Sequence, residues 1–162
     1  MSLFQRMMKE IEEEMALVEK ISIPRALTLT SGLDNPIVVK QFDHNSRRLD
    51  LTLKRDMINM LDLSNSEIYL VMKKSNGASL TLKGEITNAI GGKVNFLFTK
   101  ESLDTNGNVK CEIVRKGNDG TTLSFPFFDI QVNESMYEDS MLNIEDDEFT
   151  IIDNIVPMRE EM

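Results

Sequence analysis

The chain has 162 residues with a formal net charge of -9, and 41% of them are apolar and 28% charged. This length and composition fit one folded globular domain with short attachments. The sequence has no apolar run long enough for a membrane span or a signal peptide, and its single cysteine, Cys111, excludes an internal disulfide and indicates a reducing cytoplasm.

The charge is distributed unevenly along the chain. Residues 1–21 hold five acidic and three basic residues, residues 22–133 hold twelve and fourteen, and residues 134–162 hold ten and one. The body is therefore close to neutral, and most of the negative charge lies in the tail. Because nucleic-acid binding depends on counterion release at a basic surface, this distribution argues against a nucleic-acid partner.

Residues 1–23 are predicted to form an N-terminal amphipathic helix that Pro24 ends. Its apolar side chains recur at alternating steps of four and three, which is the spacing of a coiled-coil seam. The pattern lasts under three heptads, so two interpretations stay open: the helix packs on its own domain, or it takes part in self-association. The predicted stripe consists of Phe4, Met8, Ile11, Met15 and Val18.

From residue 24 to residue 133 the apolar period changes to two, which is typical of strands with one buried face. Leu49, Leu51 and Leu53 are one clear example. Turn sequences rich in glycine and asparagine separate the alternating segments, and no long helical pattern intervenes. The prediction is a mainly β domain, an antiparallel β-sandwich of about eight strands.

Residues 134–162 form an acidic tail in which a short C-terminal amphipathic helix is predicted. Asn143 can cap this helix, and the acidic residues that follow suit the positive end of its dipole. The apolar face of the tail helix contains Phe149, Ile152 and Ile155. Together with the stripe of the first helix, these residues are the predicted interface.

The only histidine lies in "FDHNS", where Asp43, His44 and Ser46 raise the alternative of a hydrolase. Neighbouring side chains on one turn point in diverging directions, whereas a catalytic triad needs them to converge. Short polar side chains of this kind bond to their own backbone in turns. The segment is therefore predicted to be a hairpin turn between strands that end at Phe42 and start at Leu49.

No metal or cofactor site is predicted. The stretch "DTNGNVKCEIVR" begins like a calcium loop with Asp104, Asn106 and Asn108, but its glycine is misplaced and Arg115 occupies the position of the bidentate glutamate. The acidic run 145–148 fans around its helix, and the phosphate-loop, dinucleotide and zinc motifs are missing from the sequence. Cys111 is expected to be a small core residue.

The order of motifs along residues 26–133 resembles the N-terminal domain of the baseplate upper proteins of phages and prophages that infect Gram-positive bacteria. The resemblance is carried by "VVKQFDHNSRRLDLTL", "MLDLSNSEIYLVMKKSNG", "GKVNFLFT", the Asn106-Gly107 turn before "KCEIV", and "FFDIQV". The later segment "DEFTIIDNIV" is similar to the acidic helix that often follows this domain.

The resemblance implies a structural protein of the virion tail baseplate, made in the bacterial cytoplasm, without catalytic activity or cofactors. Its partners would be other baseplate or tail proteins and further copies of itself, with a trimer favoured by the family, and neither nucleic acid nor membrane. It would dock onto the tail hub, carry receptor-binding proteins, or do both. The alternative function is a small carbohydrate-binding or adhesive β-sandwich module, although the chain has no Trp and only two Tyr.

Overall fold

The computed structural model describes residues 2–18 and 20–137, and within the helix it describes side chains as far as Ile11. The predicted tail helix lies outside these residues. Helix α1 spans Leu3–Val18. It begins with a reciprocal capping box, because the backbone N–H of Gln5 donates to the Ser2 hydroxyl at 3.1 Å and the Gln5 side-chain oxygen accepts from the Ser2 N–H at 2.9 Å.

The described residues after α1 form eleven strands in two sheets. One sheet has the order β2-β1-β4-β8-β7, and the other has the order β3-β11-β9-β5-β6 with β10 paired to β9. The strands are β1 (Ile21–Thr28), β2 (Gly32–Leu33), β3 (Ile37–Lys40), β4 (Arg47–Lys54), β5 (Ser66–Lys73), β6 (Ser79–Lys83), β7 (Glu85–Asn88), β8 (Lys93–Leu97), β9 (Gly107–Gly117), β10 (Thr122–Ser124) and β11 (Phe128–Asn133).

The predicted mainly β sandwich with an N-terminal helix is confirmed. Most neighbouring strands are antiparallel, but the sheets are mixed, since β1 runs parallel to β4 and β3 runs parallel to β11. Three strands, β2, β7 and β10, add to the eight that the sequence pattern predicted. Each contains a single large apolar residue, Leu33, Ile86 or Leu123, so no alternating pattern marks it.

Two local predictions were wrong. Pro24 does not end the helix, which stops at Val18, and instead lies inside β1. The segment at 41–46 is not a hairpin turn, because β3 belongs to the six-stranded sheet and β4 to the five-stranded sheet. The "TNGN" segment likewise connects β8 in one sheet to β9 in the other. Both segments therefore cross between the layers of the sandwich.

Alternate side chains of both sheets meet in one hydrophobic cluster. Leu49, Leu51 and Leu53 of β4 are buried on one side, and Ile68 and Leu70 of β5 belong to the opposing sheet. The strand period of two places these side chains inward and leaves polar residues outside. This cluster holds the two layers together.

The connections define two ends of the sandwich. The basal end carries the start of β1, the crossings 41–46 and 98–106, the β5–β6 turn and the residues that follow β11. The apical end carries the β4–β5 loop at 55–65 and the β7–β8 turn at 89–92. Helix α1 thus joins the sandwich at its basal end.

Candidate docking surfaces

The described part of the α1 stripe is exposed to solvent. Phe4, Met8 and Ile11 have 69%, 44% and 45% of their surface exposed, and Leu3 and Met7 beside them are also exposed. The side chains of Met15 and Val18 lie outside the described residues, as do Phe149, Ile152 and Ile155. The described part of the stripe therefore presents apolar side chains that the chain's own sandwich does not cover.

The candidate hydrolase residues brace a crossing between the two sheets. Phe42 and Asn45 have positive φ values of 68° and 56°, so the backbone bends sharply twice within this segment. The Asp43 carboxylate pairs with Arg47 at 2.5 Å, and Nδ1 of the exposed His44 accepts a hydrogen bond from the Lys100 N–H at 2.9 Å. Asp43 thus pairs with an arginine, whereas His44 accepts from the backbone of the 98–106 crossing, so the two side chains serve different contacts.

The calcium-like segment forms a polar bridge at the basal end. The Asp104 carboxylate lies 2.9 Å from the ammonium of Lys74, whose side chain is 10% exposed and also donates to the Glu101 carbonyl at 3.0 Å. The Ser75 hydroxyl donates to the carbonyl of Asn106 at 2.8 Å. Asp104 is therefore neutralised by a lysine, and the part of the chain that the structure describes holds no cluster of three or more metal-binding side chains.

Cys111 lies in the core on β9, and burial raises the pKa of its thiol to about 12. Because the thiolate is the reactive form, a thiol with this pKa is a poor nucleophile. The expectation that Cys111 is a core residue agrees with this position.

A second exposed apolar surface lies at the apical end, where the sequence pattern indicated nothing. We name it the apical surface, and its side chains are between 43% and 85% exposed. It consists of Met57, Ile58, Met60 and Ile90. These residues lie in short connections, and neither the helical nor the strand period singles out exposed residues there.

Hydrogen bonds hold the loops that carry the apical surface. The Asp56 carboxylate accepts from the backbone N–H groups of Ile58 and Asn59 at 2.9 and 2.8 Å. The side-chain hydrogen bond from Asn59, followed by these backbone bonds, lowers the pKa of Asp56. A carboxylate held in this way keeps Met57 and Ile58 at the outside of the turn.

Backbone bonds also join the 89–92 turn to the 55–65 loop and to the end of β4 beside it. The Leu53 N–H donates to the Gly92 carbonyl at 2.7 Å, and the Leu63 N–H donates to the Ala89 carbonyl at 2.8 Å. The segment with Met57 and the segment with Ile90 are therefore parts of one braced structure. Ordered apolar side chains of this kind are typical of contact surfaces between proteins.

A shallow depression of about 400 Å³ lies on the outer face of the five-stranded sheet. Its lining includes Pro24, Ala26 and Asp50. Asp50 accepts from Arg48 at 2.9 Å and also from the Ser22 hydroxyl, so its charge is already satisfied. The depression is therefore part of the polar outer surface of the sheet.

Comparison with known proteins finds a matching family and a solved structure with a similar fold. Residues 21–157 match the family described as the BppU N-terminal domain, where BppU stands for baseplate upper protein. The solved "N-terminal domain of phage TP901-1 ORF48" matches with a TM-score of 0.56 at 11% identity, covering 70% of this chain and 98% of that one. No curated protein matches the chain. Within the described residues, no helix combines the length and the apolar character that crossing a membrane requires.

Proposed function

The chain belongs to the baseplate upper protein N-terminal domain family and is a component of a phage tail baseplate, and from this premise we propose that it acts there as a docking subunit. In this function it attaches to the tail hub, carries receptor-binding proteins, or does both. The family match, which spans the whole sandwich, carries the proposal. The role is structural and involves no catalysis, cofactor or metal.

The exposed stripe of α1 supports a role in assembly. Leaving apolar surface in water costs about 25 cal/mol per Å², and Phe4, Met8 and Ile11 are each more than two-fifths exposed. We infer that the stripe, including Met15 and Val18, takes part in self-association, so the protein is a homo-oligomer, with the trimer of the family resemblance as its expected size. Phe149, Ile152 and Ile155 of the tail would supply a second interface.

Different segments of the chain would have different roles. The helix before β1 and residues 134–162 would supply contacts to other subunits, and the sandwich from β1 to β11 would supply the rigid body between them. Both flanking segments leave the sandwich at its basal end, since β1 starts there and β11 ends there. The basal end is thus the expected attachment side.

The mass of the protein in solution tests the self-association. We compare the full chain with a stripe variant that carries Phe4→Glu and Ile11→Glu, because two charges on an apolar contact surface oppose its burial. The wild type should sediment as an oligomer, and the stripe variant should sediment as a monomer of 18.5 kDa.

Val38→Glu is the matched control, since Val38 is 51% exposed on the outer face of β3 and far from α1 in the sequence. This control should keep the wild-type mass. A wild type that remains monomeric would remove the proposed self-association. Labelling of purified virions with an antibody against the chain, viewed by electron microscopy, tests the position: label away from the tail tip would contradict docking at the hub.

A further inference from the structure

Strand β6 forms a free edge of the six-stranded sheet. Among the described strands it pairs only with β5, in one register without a shift. The Lys74 N–H donates to the Ala78 carbonyl and the Gly84 N–H donates to the Ile68 carbonyl, both at 2.8 Å. Even-numbered residues of this segment therefore direct their backbone groups towards β5. By the alternation of a strand, the outward backbone N–H and C=O groups are those of Ser79, Thr81 and Lys83.

The other edges of the described sheets are short or interrupted. β2 has two residues and β10 has three, and β7 has a register shift between Ile86 and Asn88. β3 has four residues and directly follows Pro36, and the part of β1 that β2 leaves open contains Pro24. Such features discourage pairing with other chains. β6 is thus the longest described edge strand without a proline or a shift in register.

The hydrophobic core is incompletely covered along β6. The inward side chains of this strand, Leu80 and Leu82, are only partly buried. Their partners on β5, Met72 and Leu70, are completely buried. Because apolar surface left in water is unfavourable, one further strand beside β6 would be stabilised by covering these two leucines.

The β6 sequence "SLTLK" is complementary to an antiparallel copy of itself. When Thr81 lies opposite Thr81 of a second copy, Leu80 lies opposite the second copy's Leu82, and Ser79 lies opposite its Lys83. All outward N–H and C=O groups then meet in hydrogen-bonded pairs. The threonine and leucine pairs are favourable, and no like charges lie opposite each other. Within each copy the ammonium of Lys83 also lies 3.4 Å from the Glu67 carboxylate.

We propose that the β6 strands of two copies pair in antiparallel orientation about a two-fold axis at Thr81, which joins their sheets edge to edge. The contact is isologous and therefore closed, so it produces a dimer and not a fibre. It does not involve α1 and goes beyond the self-association proposed above. Because the strand is short, the dimer should be weak in dilute solution and should form readily where copies are held close together in one assembly.

The mass in solution tests the contact in the full chain. The stripe variant is the background, since it removes association through α1, and its mass should rise towards twice the monomer value as the protein concentration increases. Adding Thr81→Lys should keep it monomeric over the same range, because two ammonium groups would face each other at the axis. An equimolar mixture of the Thr81→Lys and Thr81→Glu forms should dimerise again. Val38→Lys, on the edge strand β3, is the matched control and should dimerise like the background.

Disulfide formation tests the register in the otherwise unaltered chain. Because Cys111 is buried, one introduced cysteine supplies one accessible thiol. Thr81→Cys should form a disulfide-linked dimer when oxidised glutathione is added, since opposite residues of paired strands lie within the reach of a disulfide. Ser79→Cys and Lys83→Cys should each fail to link to themselves, because equal positions would be about 14 Å apart along the strands. A mixture of these two variants should form a linked dimer.

The outcomes separate this inference from the proposed function. A background that stays monomeric at every concentration, together with no more linking of Thr81→Cys than of Ser79→Cys, would overturn the β6 contact. Self-linking of all three cysteine variants in equal yield would overturn it as well, since random collisions have no register. If the wild type and the stripe variant have the same mass and Thr81→Lys abolishes their dimer, the association through α1 is wrong and the β6 contact stands. Unchanged thermal unfolding shows that each variant is folded.

Discussion

Gly92 is the residue that lets the 89–92 turn pack closely against the end of β4. Its φ is +70°, and a Cβ placed on it would lie 2.4 Å from the carbonyl oxygen of Leu53. The same turn provides the Gly92 carbonyl that accepts the Leu53 N–H. The position thus requires both a left-handed backbone and the absence of a side chain.

We predict that Gly92→Ala lowers the free energy of unfolding more than Gly77→Ala does. Gly77 also has a positive φ, of 91°, but a Cβ there would meet nothing within 4 Å. Gly77→Ala therefore measures only the cost of holding an alanine at a positive φ. That cost is about 1–2 kcal/mol, and forcing a methyl into packed backbone should add about 1–3 kcal/mol. Urea unfolding of both variants measures the difference. Equal losses would show that the clash at Gly92 relaxes freely.

Cys111 links the stability of the core to pH. Burial raises the pKa of its thiol to about 12 in the folded chain, whereas an exposed thiol has a pKa of about 8.5. The unfolded chain therefore loses the Cys111 proton first as the pH rises. The contribution of this residue is fully present below pH 8.5 and is lost progressively as the pH rises towards 12.

We predict that the difference in unfolding free energy between the wild type and Cys111→Ala changes with pH only above about pH 8.5. The wild type should lose up to about 1.4 kcal/mol per pH unit relative to the variant. Urea unfolding from pH 7 to pH 10.5 measures both proteins. Lysine and tyrosine titrations are common to both and cancel in the comparison. Parallel pH curves would contradict the raised pKa.

The edge of β1 shows why a proline is tolerated inside a strand. Backbone groups at Ile21 and Leu29 bond towards β4, whereas those of Ala26 bond to Asp34 on the other side. By this alternation the ring nitrogen of Pro24 faces away from β4, beyond the short stretch that β2 covers. A proline at such a place removes a donor from an open edge without breaking a ladder bond, and so discourages pairing with another chain.

We predict that Pro24→Ala changes the unfolding free energy by less than about 1 kcal/mol but accelerates aggregation into β-structure, because the open edge gains a donor. Thioflavin fluorescence during incubation below the unfolding temperature measures the rate. The stripe variant is the suitable background, since it removes association through α1. Pro126→Ala, which restores a donor outside any strand, should leave the rate unchanged. Equal acceleration by both substitutions would contradict the edge argument.

The sequence pattern predicted the longer strands because every second residue in them has a buried apolar side chain, as at Ile68, Leu70 and Met72. It could not predict how the strands are connected. A turn sequence such as "DHNS" has the same composition whether the chain returns beside its own strand or crosses to the other sheet. The crossing at 41–46 contains Phe42 at a positive φ. Aromatic residues rarely adopt such a φ, so the sequence alone does not indicate this bend.

The candidate surfaces show the same limit. The stripe with Phe4, Met8 and Ile11 could be predicted because a helical period of 3.6 marks one face. Met57 and Ile58 could not, since a loop has no period and any apolar loop residue can point inward or outward. Their outward position depends on the Asp56 carboxylate and on bonds to the 89–92 turn, which are tertiary features.

At the scale of the whole molecule, the two sheets share one core. Leu51 of the five-stranded sheet and Ile113 of the six-stranded sheet are both at most 1% exposed and belong to the same cluster. The chain also crosses repeatedly between the layers, for example at 41–46 and at 98–106. Neither sheet can therefore bury its apolar face without the other, so the sandwich should unfold as one cooperative unit.

We predict that Leu51→Ala and Ile113→Ala each accelerate the slowest hydrogen exchange in both sheets by the same factor. Truncating a buried leucine or isoleucine to alanine costs about 2–5 kcal/mol, so exchange through global unfolding should become roughly thirtyfold faster or more. Native-state hydrogen exchange of β4 and β9 amides measures the effect in each layer. Ile58→Ala, at the exposed apical surface, should leave these amides unchanged. If each core substitution accelerates exchange only in its own sheet, the layers open separately, and a single rigid body between the two assembly surfaces would be ruled out.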